Sequence, residues 1–246
     1  MTILWVSDAD NTLWDTDKIY AAAQLKLLSA IEENLDIEID QANRLDYIRE
    51  VDQYISKRHH LGLRYPTELL ISALKKRITG TPIQAAIKYS LVSGLESNDV
   101  FSKDATQKFH NEVSITPPLR DGVIEGLEAL YSNEAIVVIA TEGSITRIKR
   151  HLSEHSISHF VALCLEGTKS KAFYQRIAKL YQNKEAWSIG DQLTRDVAPA
   201  IEAGFKTIYF PGGFNPFWQK KHAPLKETIT ITNYHLGVQL ALNQQK

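Results

Sequence analysis

The chain has 246 residues, with 28 basic and 29 acidic side chains and a formal net charge of −1 at pH 7. This balance excludes the broad positive surface typical of proteins that bind nucleic acid or anionic membranes, so we expect neither partner. The single cysteine, Cys164, excludes an intramolecular disulfide and a metal cluster built on cysteine. Because no leader-like or membrane-spanning apolar run is found, we expect a cytoplasmic protein; the oligomeric state is not predicted.

The first predicted element is a buried strand whose end is unusual. Residues 3–6 are apolar and β-prone, and two acids, Asp8 and Asp10, follow after Ser7. Residues two apart on an extended chain point the same way, so both carboxylates face one space beyond the strand. Such a pair is costly unless a cation, a proton or a separate partner relieves the repulsion, which indicates metal-assisted chemistry. The alternative is a plain turn, because Asp, Asn and Thr all form local bonds that end strands.

A long helical insertion is predicted next. Apolar residues recur at helical spacing in five segments, with glycine and proline between them and no convincing strand. These segments cover 17–34, 40–57, 66–78, 82–93 and 98–112. At residues 116–119 the sequence Thr-Pro-Pro-Leu cannot continue a helix, and it predicts an extended connection back into another domain.

Strands and helices alternate after this connection. Strands are predicted at 135–140, 161–165, 186–189 and 207–210, with helices at 121–132, 144–154, 170–182 and 193–203. Continuously apolar strands separated by helices predict a parallel sheet that is covered on both faces, an α/β fold of the Rossmann-like kind. Residues 228–232 alternate strictly and predict a half-exposed edge strand before a short final helix. The predicted domains are therefore 1–14 with 116–246, and an inserted 15–115.

Polar groups follow four of the predicted strands. They are Asp8 and Asp10; Thr141, Glu142, Gly143 and Ser144; Lys169 and Lys171; and Asp191 with Asp196. Each has an ordinary structural explanation, such as a helix cap for Ser144 or Asp191 and a solvated loop for the lysines. Ligands of open parallel sheets bind at the carboxyl ends of the strands, however, and all of these groups are expected at that edge.

These motifs resemble those of the haloacid dehalogenase-like (HAD) hydrolase superfamily. The resemblance rests on Asp8-Ala9-Asp10-Asn11-Thr12, then Thr141 at a strand end, a lysine before a helix, and Gly190-Asp191 with Asp196. It implies that the helical insertion is a C1-type cap. Asn11 replaces a common glycine, and Glu142 replaces a commonly smaller residue, which brings a negative charge near the implied phosphate site. The lysine remains open between Lys169 and Lys171, with Lys169 favoured by its spacing.

The resemblance implies a Mg²⁺-dependent phosphatase that acts on a small phosphate ester through an aspartyl-phosphate. Asp8 would be the nucleophile and Asp10 the acid and then the base, with Asp10 holding a proton while Asp8 stays ionised. The implied Mg²⁺ ligands are the carboxylates of Asp8 and Asp191 and the backbone carbonyl of Asp10. Asp196 would orient these ligands without binding the ion directly.

The remaining implied roles concern the phosphoryl group. Thr141 and Lys169 would hold its oxygens, with Glu142 and Gly143 lining the substrate site. A phosphotransferase or phosphomutase acting on a phosphosugar, and a regulatory protein that binds a phosphate ligand without turnover, stay open as alternatives.

Overall fold

A computed structural model of the protein describes residues 2–95, 99–182, 184–213, 217 and 228–244. The chain divides into two compact units. One consists of Met1–Asp17, Thr116–Asn215 and Lys221–Lys246, and the other of Lys18–Ile115 and Pro216–Lys220. The second unit is the helical insertion together with a short later segment of the chain.

The helices of the insertion pack on a core of their own. They are α1 (Thr16–Leu35), which starts in the first unit, and α2 (Arg44–Arg58), α3 (Thr67–Ile78), α4 (Ile83–Ser93) and α5 (Val100–Val113). Their apolar faces meet around Leu28, Ile48 and Leu74, each of which is fully buried. The helical periodicity of the sequence therefore marks the residues that form this core.

The first unit is built on one parallel sheet of six strands. They are β1 (Ile3–Ser7), β2 (Ile136–Thr141), β3 (Leu163–Glu166), β4 (Glu185–Gly190), β5 (Lys206–Tyr209) and β6 (Thr228–Thr230). Their order across the sheet is β3-β2-β1-β4-β5-β6, and every neighbouring pair is parallel. The predicted α/β fold is confirmed. β6 lies at the edge and is partly exposed, as its alternating sequence predicts.

Helices cover both faces of the sheet. They are α6 (Val123–Ser132), α7 (Ile145–Glu154), α8 (Lys171–Leu180), α9 (Ala198–Glu202) and α10 (Tyr234–Asn243). Trp5 lies in the core on one face and Val6 in the core on the other, because neighbouring side chains of a strand alternate in direction. Among the described residues, no helix is both long and apolar enough to cross a membrane.

The predicted continuous helix over 193–203 is wrong in its first turn. Residues Leu193–Val197 form a π-helical turn, in which the N–H of Ala198 bonds to the carbonyl of Leu193, and only then does α9 begin. Asp196 and Val197, the last two residues of this turn, are both buried.

Candidate active site

The central strands bring the predicted site residues to one edge of the sheet. Ser7, the last residue of β1, is paired in register with Ile139 of β2 and Ile189 of β4, so the three strands end at similar levels. Asp8 continues this alignment, since its N–H donates to the carbonyl of Ile189 at 2.9 Å. Thr141 ends β2, and Asp191 directly follows β4. The topology thus gathers side chains that are far apart in sequence.

Lys169 lies at the centre of this group. Its Nζ donates to Oδ1 of Asp8 and, at 2.5 Å, to Oδ1 of Asp196. All three side chains are less than 10% exposed, at 4% for Lys169, 9% for Asp8 and 2% for Asp196. The second oxygen of Asp8 accepts a hydrogen bond from Thr12 Oγ1 at 2.9 Å. Asp8 is therefore held on both oxygens, and one cation serves two buried acids.

The charges of the group shift its pKa values strongly. The pKa of Asp8 is raised to about 7, chiefly by burial; Asp196 contributes to the rise, while Lys169 opposes it. Burial and the neighbouring Asp8 and Asp196 also raise the pKa of Asp191. Burial alone would lower the pKa of Lys169, but the two carboxylates it contacts outweigh burial and raise it. This pocket holds more negative charge than Lys169 can balance.

This cluster suits a divalent cation. Carboxylate oxygens of Asp8, Asp191 and Asp196 lie within 4.8 Å of one another. Both oxygens of Asp196 already accept hydrogen bonds, from Lys169 and from the Gln192 N–H at 2.9 Å. Asp191 is only 3% exposed and lies beside Asp8 in this cluster. Neighbouring buried carboxylates form the oxygen-only donor set that Mg²⁺ prefers.

Asp10 has surroundings that differ from those of Asp8. Its Oδ1 accepts hydrogen bonds from Trp14 Nε1, Thr16 Oγ1 and Arg147 Nη1, each at 3.0 Å, and its Oδ2 pairs with Arg147 Nη2. Burial alone would raise the pKa of Asp10, but the bonds and charge of Arg147 outweigh it, and Trp14 and Thr16 lower the pKa further.

The protein atoms alone therefore reverse the expected pKa order. Without a bound cation, the pKa of Asp8 is raised and the pKa of Asp10 is lowered, whereas the expected roles need a proton on Asp10 and an ionised Asp8. The physical reason is that burial, reinforced by Asp196, outweighs Lys169 at Asp8, whereas the guanidinium of Arg147 outweighs burial at Asp10.

The residues after β2 have distinct positions. Thr141 is buried, and its Oγ1 accepts the N–H of Gly143 at 2.9 Å. Glu142 accepts the backbone N–H of Lys169 at 3.0 Å and a bond from Arg195 Nη1 at 2.6 Å. Glu142 thus ties the loops after β2, β3 and β4 together, and Arg195 offsets its negative charge.

The two candidate lysines are separated by the start of α8. Lys169 is buried in the acidic cluster, whereas Lys171 is the first residue of α8 and is exposed. Ser170 between them is the N-cap, and its side chain accepts the N–H of Phe173 at 3.3 Å. Ser144 is likewise at the N-cap of α7, but its side chain forms no capping bond there, and Glu166 accepts the N–H of Ile145 instead.

Sequence reasoning did not identify Arg147 or Thr16 as parts of the site. Thr16 begins α1, and Arg147 lies in the first turn of α7, so both belong to helices that start near the ends of strands. Polar residues in the first turn of a helix after β1 or β2 are the signal that could have found them. The asparagine at position 11 has φ 57°, a left-handed backbone that asparagine tolerates better than most residues.

Comparisons with known proteins identify a family and several similar structures. A family model for haloacid dehalogenase-like hydrolase matches residues 4–204, while curated proteins give no match. A haloacid dehalogenase-like family hydrolase from Xanthomonas campestris has a TM-score of 0.64 at 17% identity, covering 99% of this chain and 97% of its own. A HAD-hydrolase from Bacillus subtilis, bound to magnesium, has a TM-score of 0.61 at 16% identity, covering 97% of this chain and 98% of its own.

A third similar structure is a predicted phosphoglycolate phosphatase from Haemophilus somnus. Its TM-score is 0.59 at 16% identity, and the match covers 98% of this chain and 98% of its own. A dehalogenase is also among the similar structures. At such identities the likeness concerns the fold alone.

Proposed function

Because the chain belongs to the haloacid dehalogenase-like hydrolase family, we propose that it is a Mg²⁺-dependent phosphatase acting on a small phosphate ester. The observation that carries this proposal is the separation of the two carboxylates after β1. Asp8 lies with Lys169 and Asp191 in the buried acidic cluster, and Asp10 lies two residues further on with donors of its own. Two acids in different environments suit two different roles.

Asp8 is the proposed nucleophile. One of its carboxylate oxygens attacks phosphorus, the bond between phosphorus and the leaving oxygen breaks, and an aspartyl-phosphate forms. Asp10, which carries a proton once the substrate is bound, gives that proton to the leaving oxygen. In the second step Asp10 takes a proton from water, which attacks the same phosphorus, and Asp8 is released together with inorganic phosphate.

Lys169 and Thr141 hold the phosphoryl oxygens in this proposal. The ammonium of Lys169 balances the negative charge that develops between Asp8 and the phosphoryl group. The carboxylates of Asp8 and Asp191, with the backbone carbonyl of Asp10, would hold the Mg²⁺ ion. When bound, the ion supplies the positive charge that allows an anionic nucleophile and an anionic substrate to approach each other.

Asp10 also favours a phosphate ester over a haloacid as the substrate. Displacement of a halide from carbon releases an anion that needs no proton, whereas an ester releases an oxygen that does. A residue able to donate a proton at this position has a task only in the second case.

The test is hydrolysis of an aryl phosphate by the purified protein with and without added Mg²⁺, alongside Asp8→Asn. We expect activity that requires the metal and is lost in the variant, since an amide is a far weaker nucleophile than a carboxylate. Release of halide from 2-haloacids is measured in parallel.

Each alternative predicts a different result. Halide release without phosphate release would refute the phosphatase proposal. Failure with aryl phosphates and with a panel of phosphorylated metabolites, together with transfer of phosphate to a sugar, would replace it with a phosphotransferase.

A further inference from the structure

Arg147 is the one charged partner of Asp10 in the described site. Its Nη1 donates to Oδ1 of Asp10 at 3.0 Å and its Nη2 pairs with Oδ2, so the guanidinium and the carboxylate meet at two points. With Trp14 and Thr16 also donating to Oδ1, the carboxylate is occupied on both oxygens. In this arrangement both oxygens of Asp10 are engaged by donors of its own protein, and Arg147 is the donor that contacts both.

The guanidinium of Arg147 also lies beside the proposed phosphate site. A methyl group placed on Gly143 would be 2.7 Å from Arg147 Nη2 and 3.3 Å from both Asp10 Oδ2 and Thr141 Oγ1. The arginine head and the threonine hydroxyl thus border the same small space, which stays open because residue 143 lacks a side chain. The Arg147 side chain is 32% exposed, so an incoming ligand can reach it.

Two-point contact suits phosphate as well as carboxylate. The fork of an arginine side chain matches the spacing of oxygens in both groups, and its bonds to either anion are charge-assisted. Asp10 therefore occupies the donors that a phosphoryl group would use.

Building on the proposed function, we propose that Arg147 is a phosphate-binding residue that alternates between two anions. In the substrate-free protein its guanidinium holds Asp10. When a phosphate ester binds, the guanidinium moves to the phosphoryl oxygens, and Asp10 is released to face the leaving oxygen. Substrate binding and the placement of the acid are then one event.

This exchange makes Asp10 an internal competitor of the substrate. A ligand that must displace a competing group binds more weakly by the free energy of that displacement. Removing the charge of Asp10 should therefore strengthen phosphate binding, and the gain should depend on Arg147. A purely structural role for Arg147 does not predict that dependence.

The experiment measures binding of inorganic phosphate by calorimetry in the presence of Mg²⁺, without turnover. The variants are Arg147→Ala, Arg147→Lys, Asp10→Asn and the double variant Asp10→Asn/Arg147→Ala. Arg150→Ala is the matched control, because Arg150 lies on the same helix and pairs with Glu154 at 3.8 Å. Thermal melting of each variant checks that it folds.

We expect Arg147→Ala to weaken phosphate binding about tenfold or more, Arg147→Lys to weaken it less, and Arg150→Ala to change it less than twofold. Asp10→Asn should strengthen binding several-fold, and the double variant should lose that gain. Equal phosphate affinity of wild type and Arg147→Ala would overturn the inference, and so would a gain in Asp10→Asn that survives in the double variant.

The proposed function and the role of Arg147 are refuted by different results. A wild-type protein that neither hydrolyses phosphate esters nor binds phosphate would refute it. A wild type that hydrolyses them, with an Arg147→Ala variant whose kcat falls while its phosphate affinity is unchanged, would refute only the role of Arg147.

Discussion

Replacing Lys169 by methionine separates the contribution of its charge from that of its packing. Methionine keeps an unbranched side chain of similar length but removes the ammonium that contacts Asp8 and Asp196. Two carboxylates that are each less than 10% exposed, at 9% and 2%, then lose their common cation. Lys171→Met is the matched control, because Lys171 is exposed at the start of α8.

The expected loss follows from burial. Removing one partner of a buried ion pair typically costs about 3–5 kcal/mol, because the remaining charge has neither water nor a counter-ion. The loss is limited here, since Asp8 already has a pKa of about 7 and can take up a proton. We therefore expect Lys169→Met to lose about 3 kcal/mol of unfolding free energy at pH 8, and less at pH 6, where protonation relieves the repulsion.

Chemical denaturation at the two pH values measures the loss, and thermal melting checks it. A loss of about 3 kcal/mol corresponds to a melting temperature lower by roughly 6–12 °C in a chain of this size. Added Mg²⁺ should restore part of the stability at pH 8, because a cation that binds only the folded state shifts the equilibrium toward it. Phosphatase activity should be lost in Lys169→Met and kept in Lys171→Met.

Two results would refute this reasoning. A melting temperature of Lys169→Met within 2 °C of wild type at pH 8 would show that the cluster does not depend on the ammonium for its charge balance. A greater loss of activity in Lys171→Met than in Lys169→Met would show that Lys171, and not Lys169, contacts the phosphate.

Three further predictions concern pH and close packing. The folded pKa of Asp8 is raised to about 7, so the folded state binds more protons than the unfolded chain between about pH 4 and pH 7. The free energy of unfolding of the metal-free protein should therefore fall as pH rises, by up to about 1.4 kcal/mol per pH unit. Denaturation across this range should show a shallower dependence on pH for Asp8→Asn. Gly190→Ala would place a methyl 2.2 Å from Cγ of Asp196. We expect this clash to lower the free energy of unfolding by at least about 2 kcal/mol and to weaken Mg²⁺ binding measured by calorimetry. Unchanged stability and unchanged Mg²⁺ binding would argue against this packing. Burial alone would raise the pKa of Glu32, but the hydrogen bonds from Arg44 outweigh burial and lower it. Glu32→Gln should therefore cost about 1 kcal/mol at pH 7, and this cost should shrink as the pH falls through the folded pKa of the wild-type carboxylate, as denaturation along an acid titration would test.

Local sequence determined the elements of this protein. Apolar runs with β-prone residues marked β1, β2 and β4, and helical spacing marked the insertion, because these patterns depend only on neighbouring residues and on the side that each must bury. The edge position of β6 followed from its strict alternation. The residues of the site could be named for a related reason, since polar side chains that follow buried strands of a parallel sheet collect at one edge.

The tertiary structure decided the partners of those residues. Lys169 and Lys171 are both lysines near the start of one helix, and only packing showed that one is buried between two acids while the other faces solvent. The π-helical turn that buries Asp196 likewise has no pattern of its own in the sequence.

The pKa order of the two aspartates depends on three dimensions in the same way. Asp8 and Asp10 are alike in sequence, and each responds to charges that arrive from distant parts of the chain: Lys169 and Asp196 for Asp8, and Arg147 for Asp10. Electrostatic interactions act through distance and burial rather than through order along the chain. The sequence by itself therefore determined which groups could react, and the folded structure decided the charge that each one meets.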